Sequence, residues 1–328
     1  LPISLIALLG GCTSTSVTEK YQDKRNDIIN VKDKVIEFET GNVLIGSVSR
    51  LYMSNKCLLI ADHKSVDKQI HIFNKNDFSY LTSIGNFGEG PEEITVMGCL
   101  AIDEAHHQLY VSDHAKQKIF SYDMDSVMVD SLYKPQVKTA MNETLFPSEY
   151  QYINDTLSIA VLIKPTSTST FNQFLGRWNM NTGEMIPMKY THPDIQKKRI
   201  TFAASEKAGI YVECYTRHDL MTICSLDGEL LYNIYGPDWD GGNGNKLQSF
   251  GTVMIGNDKI FVSYCGEDYA RDSFPTKILV FDVEGNYLKT LETGYKISDC
   301  CYDSFNNRII LSLNDVVQFA YLDIDGII

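Results

Sequence analysis

One turn pattern recurs six times along the chain, and it constrains the fold more than any other feature. Each copy follows an apolar strand with a hairpin of the Asp/Asn-x-Asp/Asn type and then a further strand. The copies are Phe73–Asp77, Tyr122–Ser126, Trp178–Gly183, Cys224–Gly228, Phe281–Gly285 and Leu322–Gly326. Asp, Asn and Gly suit these places because a tight hairpin needs positive φ and side chains that bond their own backbone. The strand before each turn repeats as well, with first apolar residues Leu58, Leu109, Leu157, Ile210, Ile260 and Ile309. The spacings are 51, 48, 53, 50 and 49 residues. A period of that length with four short strands per unit is the signature of a propeller blade. No stretch sustains a 3.6-residue apolar period, whereas two-residue alternation is frequent, as in Ile70 and Ile72 against His71 and Phe73.

The expected fold is therefore all-β: a six-bladed β-propeller with four-stranded antiparallel blades. The last unit ends at Ile327-Ile328, directly after its turn, and so falls short of an outermost strand. The run Val35–Glu39 is strand-like and precedes the first complete unit. It is expected to close the last blade and remove the exposed edges. The third-to-fourth strand turns read as uniformly tight.

The units Leu109–Asp113 with Lys118–Asp123, and Ile210–Val212 with Leu226–Gly228, resemble NHL-type repeats. The junction Ile84–Glu93 is similar to one in TolB-like six-bladed propeller lipoproteins of Gram-negative bacteria. The resemblance covers residues 34–328. It implies a fold and an envelope setting, and it implies no particular chemistry.

The N-terminus gives an address. Residues 1–11 form an apolar run of signal-peptide length, too short to span a bilayer as a helix. They end in Leu9-Gly10-Gly11-Cys12, which resembles the lipobox of bacterial lipoproteins and implies a lipid on Cys12. Residues 12–33 are almost without apolar content until Ile28, as suits a flexible tether between membrane and body. The expected organisation is a signal peptide over 1–11, a lipid-anchored tether over 12–33 and the propeller over 34–328. The expected location is the cell envelope, in the outer membrane on its periplasmic side or its surface.

Charge narrows the partners. Lys and Arg number 29 against 42 Asp and Glu, a formal net charge of −13, and no Lys/Arg cluster offsets it. Such a surface repels phosphate backbones, so nucleic acid is not an expected partner. Of the eight cysteines, Cys12 is the lipidation candidate. The other seven show no CxxC or Cys/His spacing, and strand alternation points Cys300 and Cys301 to opposite faces.

In a four-stranded blade the 2–3 and 4–1 loops share the face bearing the channel mouth. The long loops fall there, at Lys164–Gln173, Tyr215–Leu220 and Cys265–Lys277, with junctions at Gly85–Glu93 and Gly236–Asn245. Loops on a rigid scaffold commonly carry binding. The binding candidates are Glu89, Glu92 and Glu93, then Tyr215, Arg217 and His218. Asp238, Trp239, Asp240, Glu267, Asp268, Tyr269, Arg271 and Asp272 complete them. Carboxylates beside aromatic rings suit sugars or a basic peptide. Asp62-His63 and Asp113-His114 occupy equivalent places after the second strand, where the Asp is expected to cap the turn. His106-His107 falls in a turn on the opposite face. Asp238–Asn245 alternates oxygen-bearing side chains around glycines, so a divalent cation such as calcium is conceivable there, but the loop lacks the bidentate Glu of a calcium site.

No nucleophile elbow, phosphate loop or dinucleotide fingerprint is present. The sequence thus favours a membrane-tethered binding or scaffold propeller, without assigned catalysis or cofactor, recognising a protein, peptide or glycan at the channel mouth. The alternative is a metal-dependent, lactonase-like propeller hydrolase with a cation on the channel axis.

Overall fold

The strands before each turn are apolar at every position, as in Cys57-Leu-Leu-Ile-Ala61, because both of their faces are buried. Leu58 and Ile60 pack into the cluster with Ile310 and Phe319, while Leu59 and Ala61 pack the other way, against Leu109 and Phe120. In the computed structural model, which describes residues 18–130, 132–167, 170–195, 198–244, 246–271 and 273–328, this alternation is repeated around a ring of six sheets.

Blade 1 comprises Ser49–Met53, Cys57–Asp62, Lys68–Asn74 and Tyr80–Asn86, in that spatial order and antiparallel. Blade 2 comprises Met97–Asp103, Gln108–Asp113, Lys118–Asp123 and Gln136–Ala140. Blade 3 comprises Phe146–Asn154, Leu157–Pro165, Phe171–Trp178 and Met185–Pro187. Blade 4 holds Ile200–Ser205, Ile210–Tyr215, Leu220–Ser225 and Leu230–Tyr235, and blade 5 holds Leu247–Gly256, Lys259–Asp268, Lys277–Asp282 and Tyr287–Glu292. Blade 6 supplies only Ile297–Asp303, Arg308–Leu313 and Phe319–Asp323 from the C-terminal end. Each seam between blades holds its own apolar cluster. The first strand of every blade faces the central channel.

The third-to-fourth strand turns work as their residues suggest. Asn74 Oδ1 accepts from the amide of Asn76, Asn179 Oδ1 from Asn181, and Asp282 Oδ1 from Asn286. Gly228 and Gly285 take φ of +87° and +79°, where a side chain would be strained. Blade 2 departs from the expected tight turn. Asp123 Oδ1 caps Ser126 N, and a short helix α1 (Met124–Val129) follows, because Met124, Val127 and Met128 put an apolar stripe on one face.

The N-terminal segment closes the ring. Strand β3 (Val35–Glu37) pairs antiparallel with Phe319–Asp323, placing Glu37 opposite Ala320 and Val35 opposite Leu322. The closing strand is thus where the sequence put it. Of the expected tether, the described residues 18–33 differ from expectation, since they are not free. Strand β1 (Glu19–Tyr21) runs parallel to the outer strand of blade 4, and strand β2 (Ile28–Asn30) does the same on blade 5. Between them Arg25 turns inward. Its guanidinium lies 2.7 Å from Asp219 Oδ1, with both side chains buried, and sits over the rings of Phe250, Tyr264 and Phe281. Burying that charge is favourable only because the carboxylate neutralises it and the ring faces solvate it. Cys12 lies outside the described residues, and no helix among those described is long and apolar enough to cross a membrane.

All seven cysteines among the described residues are buried and free. Cys300 joins the blade 5–6 seam and Cys301 the blade 6–1 seam, on opposite faces as alternation requires.

Removing Arg25 leaves Asp219 buried without its counter-charge, so Arg25→Ala is expected to lower the free energy of unfolding by about 3–5 kcal/mol. Denaturant unfolding checks this. A loss below about 1 kcal/mol would show that the segment does not hold blades 4 and 5.

Candidate functional site

The second-strand aspartates cap their turns and also hold the junction that leads into their own blade. Asp62 accepts from the amides of Gly46 and Lys64, and Asp113 from those of Thr95, Val96 and Ala115. The adjoining His63 and His114 lose basicity chiefly through burial.

The candidate residues on the channel-mouth face fall into two groups on different blades. Glu89, Glu92 and Glu93 lie at the junction of blades 1 and 2. Glu93 is structural: its carboxylate accepts from the Gly90 amide at 2.8 Å and fills the space beside Gly88 and Gly90. Lys116 Nζ holds the same junction by donating to the carbonyls of Gly90 and Glu93, each at 2.6 Å. Glu92 pairs with Lys134 at 2.8 Å, and Glu89 is exposed.

The second group forms one continuous patch across blades 4 and 5. Tyr215 and His218 are buried inside it, at 0% and 8% exposure, so they brace it rather than meet a ligand. With His192, Tyr235 and Trp239 they form a ring cluster whose neighbouring centroids lie between 5.0 and 6.5 Å apart. His192 Nε2 and the Tyr235 hydroxyl are 2.9 Å apart. Gly244 abuts the His218 ring with no room for a Cβ, which explains a glycine at that place. The cluster fixes Trp239, which stays half-buried between the exposed Asp238 and Asp240. The Asp238 carboxylate accepts from Tyr264 Oη at 3.3 Å, and Asp240 lies 3.7 Å from His218 Nδ1. Next to them the Arg217 guanidinium stacks on Tyr269, and Arg271 bonds Glu267 at 3.0 Å. Asp268 accepts from the Ala270 amide. Asp272 lies outside the described residues. Asp238 and Asp240 bond in different directions, and Asn243 turns its amide to the carbonyl of Asp240, so the described part of this loop does not gather oxygens around a point.

The channel encloses about 350 Å³. Its lining is polar: Arg50 bridges to Glu149 at 2.9 Å, and Asp299 accepts from Leu51 N and Thr252 Oγ1. The cation here is the guanidinium of Arg50. Glu149 Oε1 is engaged with it, and Asp299 with two donors.

Sequence reasoning missed a larger cavity on the opposite face. It encloses about 500 Å³ between blades 1 and 2, with Leu59, Ile102, Leu109, Met124 and Met128 on its walls. Helix α1 forms one side, and the only advance signal was the spacing of Met124, Val127 and Met128.

Comparison with known proteins agrees with this architecture. Residues 13–172 match a family described as "DUF5128: 6-bladed beta-propeller". No curated protein matches the chain. Among solved structures, a Bacteroides fragilis protein described as exported superposes with a TM-score of 0.57 at 14% identity, covering 90% of this chain and 88% of that one. A member of the DUF4221 family from Bacteroides vulgatus gives 0.60 at 11% identity, covering 91% and 98%. A luciferin-regenerating enzyme gives 0.57 at 8% identity, covering 88% and 94%. At these identities the likeness is one of fold alone.

Burial sets a pH dependence. It lowers the pKa of His63, His71, His114, His192 and His218, whereas His106 alone is raised, by Asp103. A histidine held neutral in the native state takes up a proton on unfolding, so its contribution is complete above about pH 6.5 and is lost as pH falls below that. The denaturation midpoint is therefore expected to fall from pH 7 to pH 5, and less steeply in His218→Gln. A midpoint independent of pH over that range would contradict the assignment.

Proposed function

We propose that this protein is a non-catalytic binding propeller of the cell envelope, anchored by lipid on Cys12. Its blade 4–5 patch grips a basic segment of a partner protein. The observation that carries this reading is the patch itself: exposed Asp238, Asp240, Glu267 and Asp268 surround Trp239 and Tyr269 on one face of a chain with a net charge of −13. Carboxylates and aromatic rings together suit ammonium and guanidinium groups, by ion pairing and by attraction to ring faces. The acidic surface steers cationic partners toward it.

A protein segment fits better than a sugar. Stacking on a sugar needs an open ring face, whereas Trp239 is boxed by His192, His218 and Tyr235, and Tyr269 carries Arg217 on one side. The Arg217–Tyr269 stack is a contact of the kind proposed for a partner arginine. The envelope setting is supported by the leader and Cys12, and by the exported character of the Bacteroides fragilis neighbour.

Surface-immobilised protein tested against Lys/Arg-rich peptides, acidic peptides and neutral oligosaccharides checks the reading. Basic peptides are expected to bind, more weakly as salt rises. The double change Asp238→Asn with Asp268→Asn, or Tyr269→Ala alone, is expected to weaken binding about 10-fold, while Glu89→Gln leaves it unchanged. Equal binding of acidic peptides, selective binding of oligosaccharides, or indifference to these substitutions would defeat it.

A further inference from the structure

The first-to-second strand turns of blades 2 and 3 meet on the face opposite the channel mouth. Asp103 ends the inner strand of blade 2 with its carboxylate buried, and His106 follows in the turn. Asp155 comes from the corresponding turn of blade 3, just after Asn154. One donor atom from each lies within 4.8 Å of the other two. His106 Nδ1 is 2.8 Å from Asp103 Oδ2 and 3.9 Å from Asp155 Oδ1. Two donors bound at about 2.1 Å to one cation lie roughly 3.0–3.4 Å apart for octahedral or tetrahedral angles. The 2.8 Å separation is the imidazole–carboxylate hydrogen bond, which a cation would replace, and Asp155 would close in by about 0.5 Å to complete the shell.

The surrounding groups hold the donors in place. Asp103 Oδ1 takes the backbone N–H of His106, leaving Oδ2 to face the imidazole. The hydroxyl of Tyr110 donates to Asp103 Oδ2 at 3.2 Å, and that of Tyr152 donates to Asp155 Oδ1 at 2.7 Å. Asn181 Nδ2 donates to the Asp155 carbonyl and fixes that turn. Hydrogen bonds of this kind to ligating carboxylates orient and tune a metal site. The adjoining pair His107 and Asp125, 2.7 Å apart, lacks a third donor. Among the described residues no other group of His, Cys, Asp and Glu converges in this way.

We propose that Asp103, His106 and Asp155 form a mononuclear site for a divalent transition-metal cation such as zinc, clamping the seam between blades 2 and 3. One imidazole nitrogen with two carboxylate oxygens suits zinc and its first-row neighbours better than calcium, which takes six to eight oxygens. Three protein donors leave the remaining positions to water. The site stands apart from the channel-mouth patch and does not depend on the function proposed for it.

Calorimetric titration of the untagged chain with zinc, in buffer without chelator, tests the proposal. The expected result is one equivalent bound with micromolar affinity. The unfolding midpoint should rise by about 4 °C at a hundredfold excess of zinc over the dissociation constant. Asp155→Asn and His106→Gln should each weaken binding at least about 10-fold, and His107→Gln should not. Cobalt should give visible absorption bands with the wild type that both ligand variants lose. Asp155 and His106 are exposed, so their variants are expected to fold, and circular dichroism of the metal-free proteins confirms that. No zinc bound overturns the proposal, as does zinc bound equally by both variants, which would mark an adventitious ion only.

Discussion

Everything in this ring depends on how its ends are joined, and the joint is made by residues 19–37. A propeller built from six sheets has one seam that no covalent continuity secures. Here β3 completes blade 6, while β1 and β2 extend blades 4 and 5 by a parallel strand each. The segment therefore crosses three consecutive blades. Arg25 locks the crossing through Asp219, whose carboxylate also accepts from the Asp238 amide and Tyr264 Oη. The buried ion pair that holds the strap thus also positions the loop that carries Trp239. Closure and the candidate patch share one interaction.

That sharing accounts for the character of the patch. Its base is a cluster of rings with few rotatable bonds, set over the top of blade 4, and its rim is made of exposed carboxylates. Rings already packed in place lose little conformational entropy when a partner docks. The channel is lined differently: Arg50 pairs with Glu149, and Asp299 accepts from the Leu51 amide and the Thr252 hydroxyl. The patch is thus rigid, acidic and aromatic, as the proposed grip on a basic segment requires.

The parts of this structure that could be read from the sequence are those encoded locally. Asn74, Asn179 and Asp282 bond backbone amides within four residues, so their turns repeat visibly, and the strands beside them are apolar throughout because each feeds two seams. The strap was not legible. A three-residue parallel edge strand such as Glu19–Tyr21 has no periodic signature, and Arg25 reads as a solvated charge until Asp219, 194 residues away, is placed beside it. Tyr215 and His218 looked available because they adjoin a loop, yet the rings packed on them come from two other segments, at His192 and at Tyr235 and Trp239. Asp103 and Asp155 meet only because one period of the repeat superposes their turns on neighbouring blades.

Hydrogen exchange resolved along the chain tests most directly whether residues 19–37 are part of the propeller. The amides of Gln22, Val31 and Phe38 donate to Tyr235, Glu292 and Phe319 across the strap. In an intact ring they should exchange as slowly as the outer strands of blades 4 and 5, and lose protection together with them when Arg25 is replaced. Exchange of residues 19–30 at the rate of an unstructured peptide, beside fully protected blades, would contradict this account and return the segment to the role of a tether.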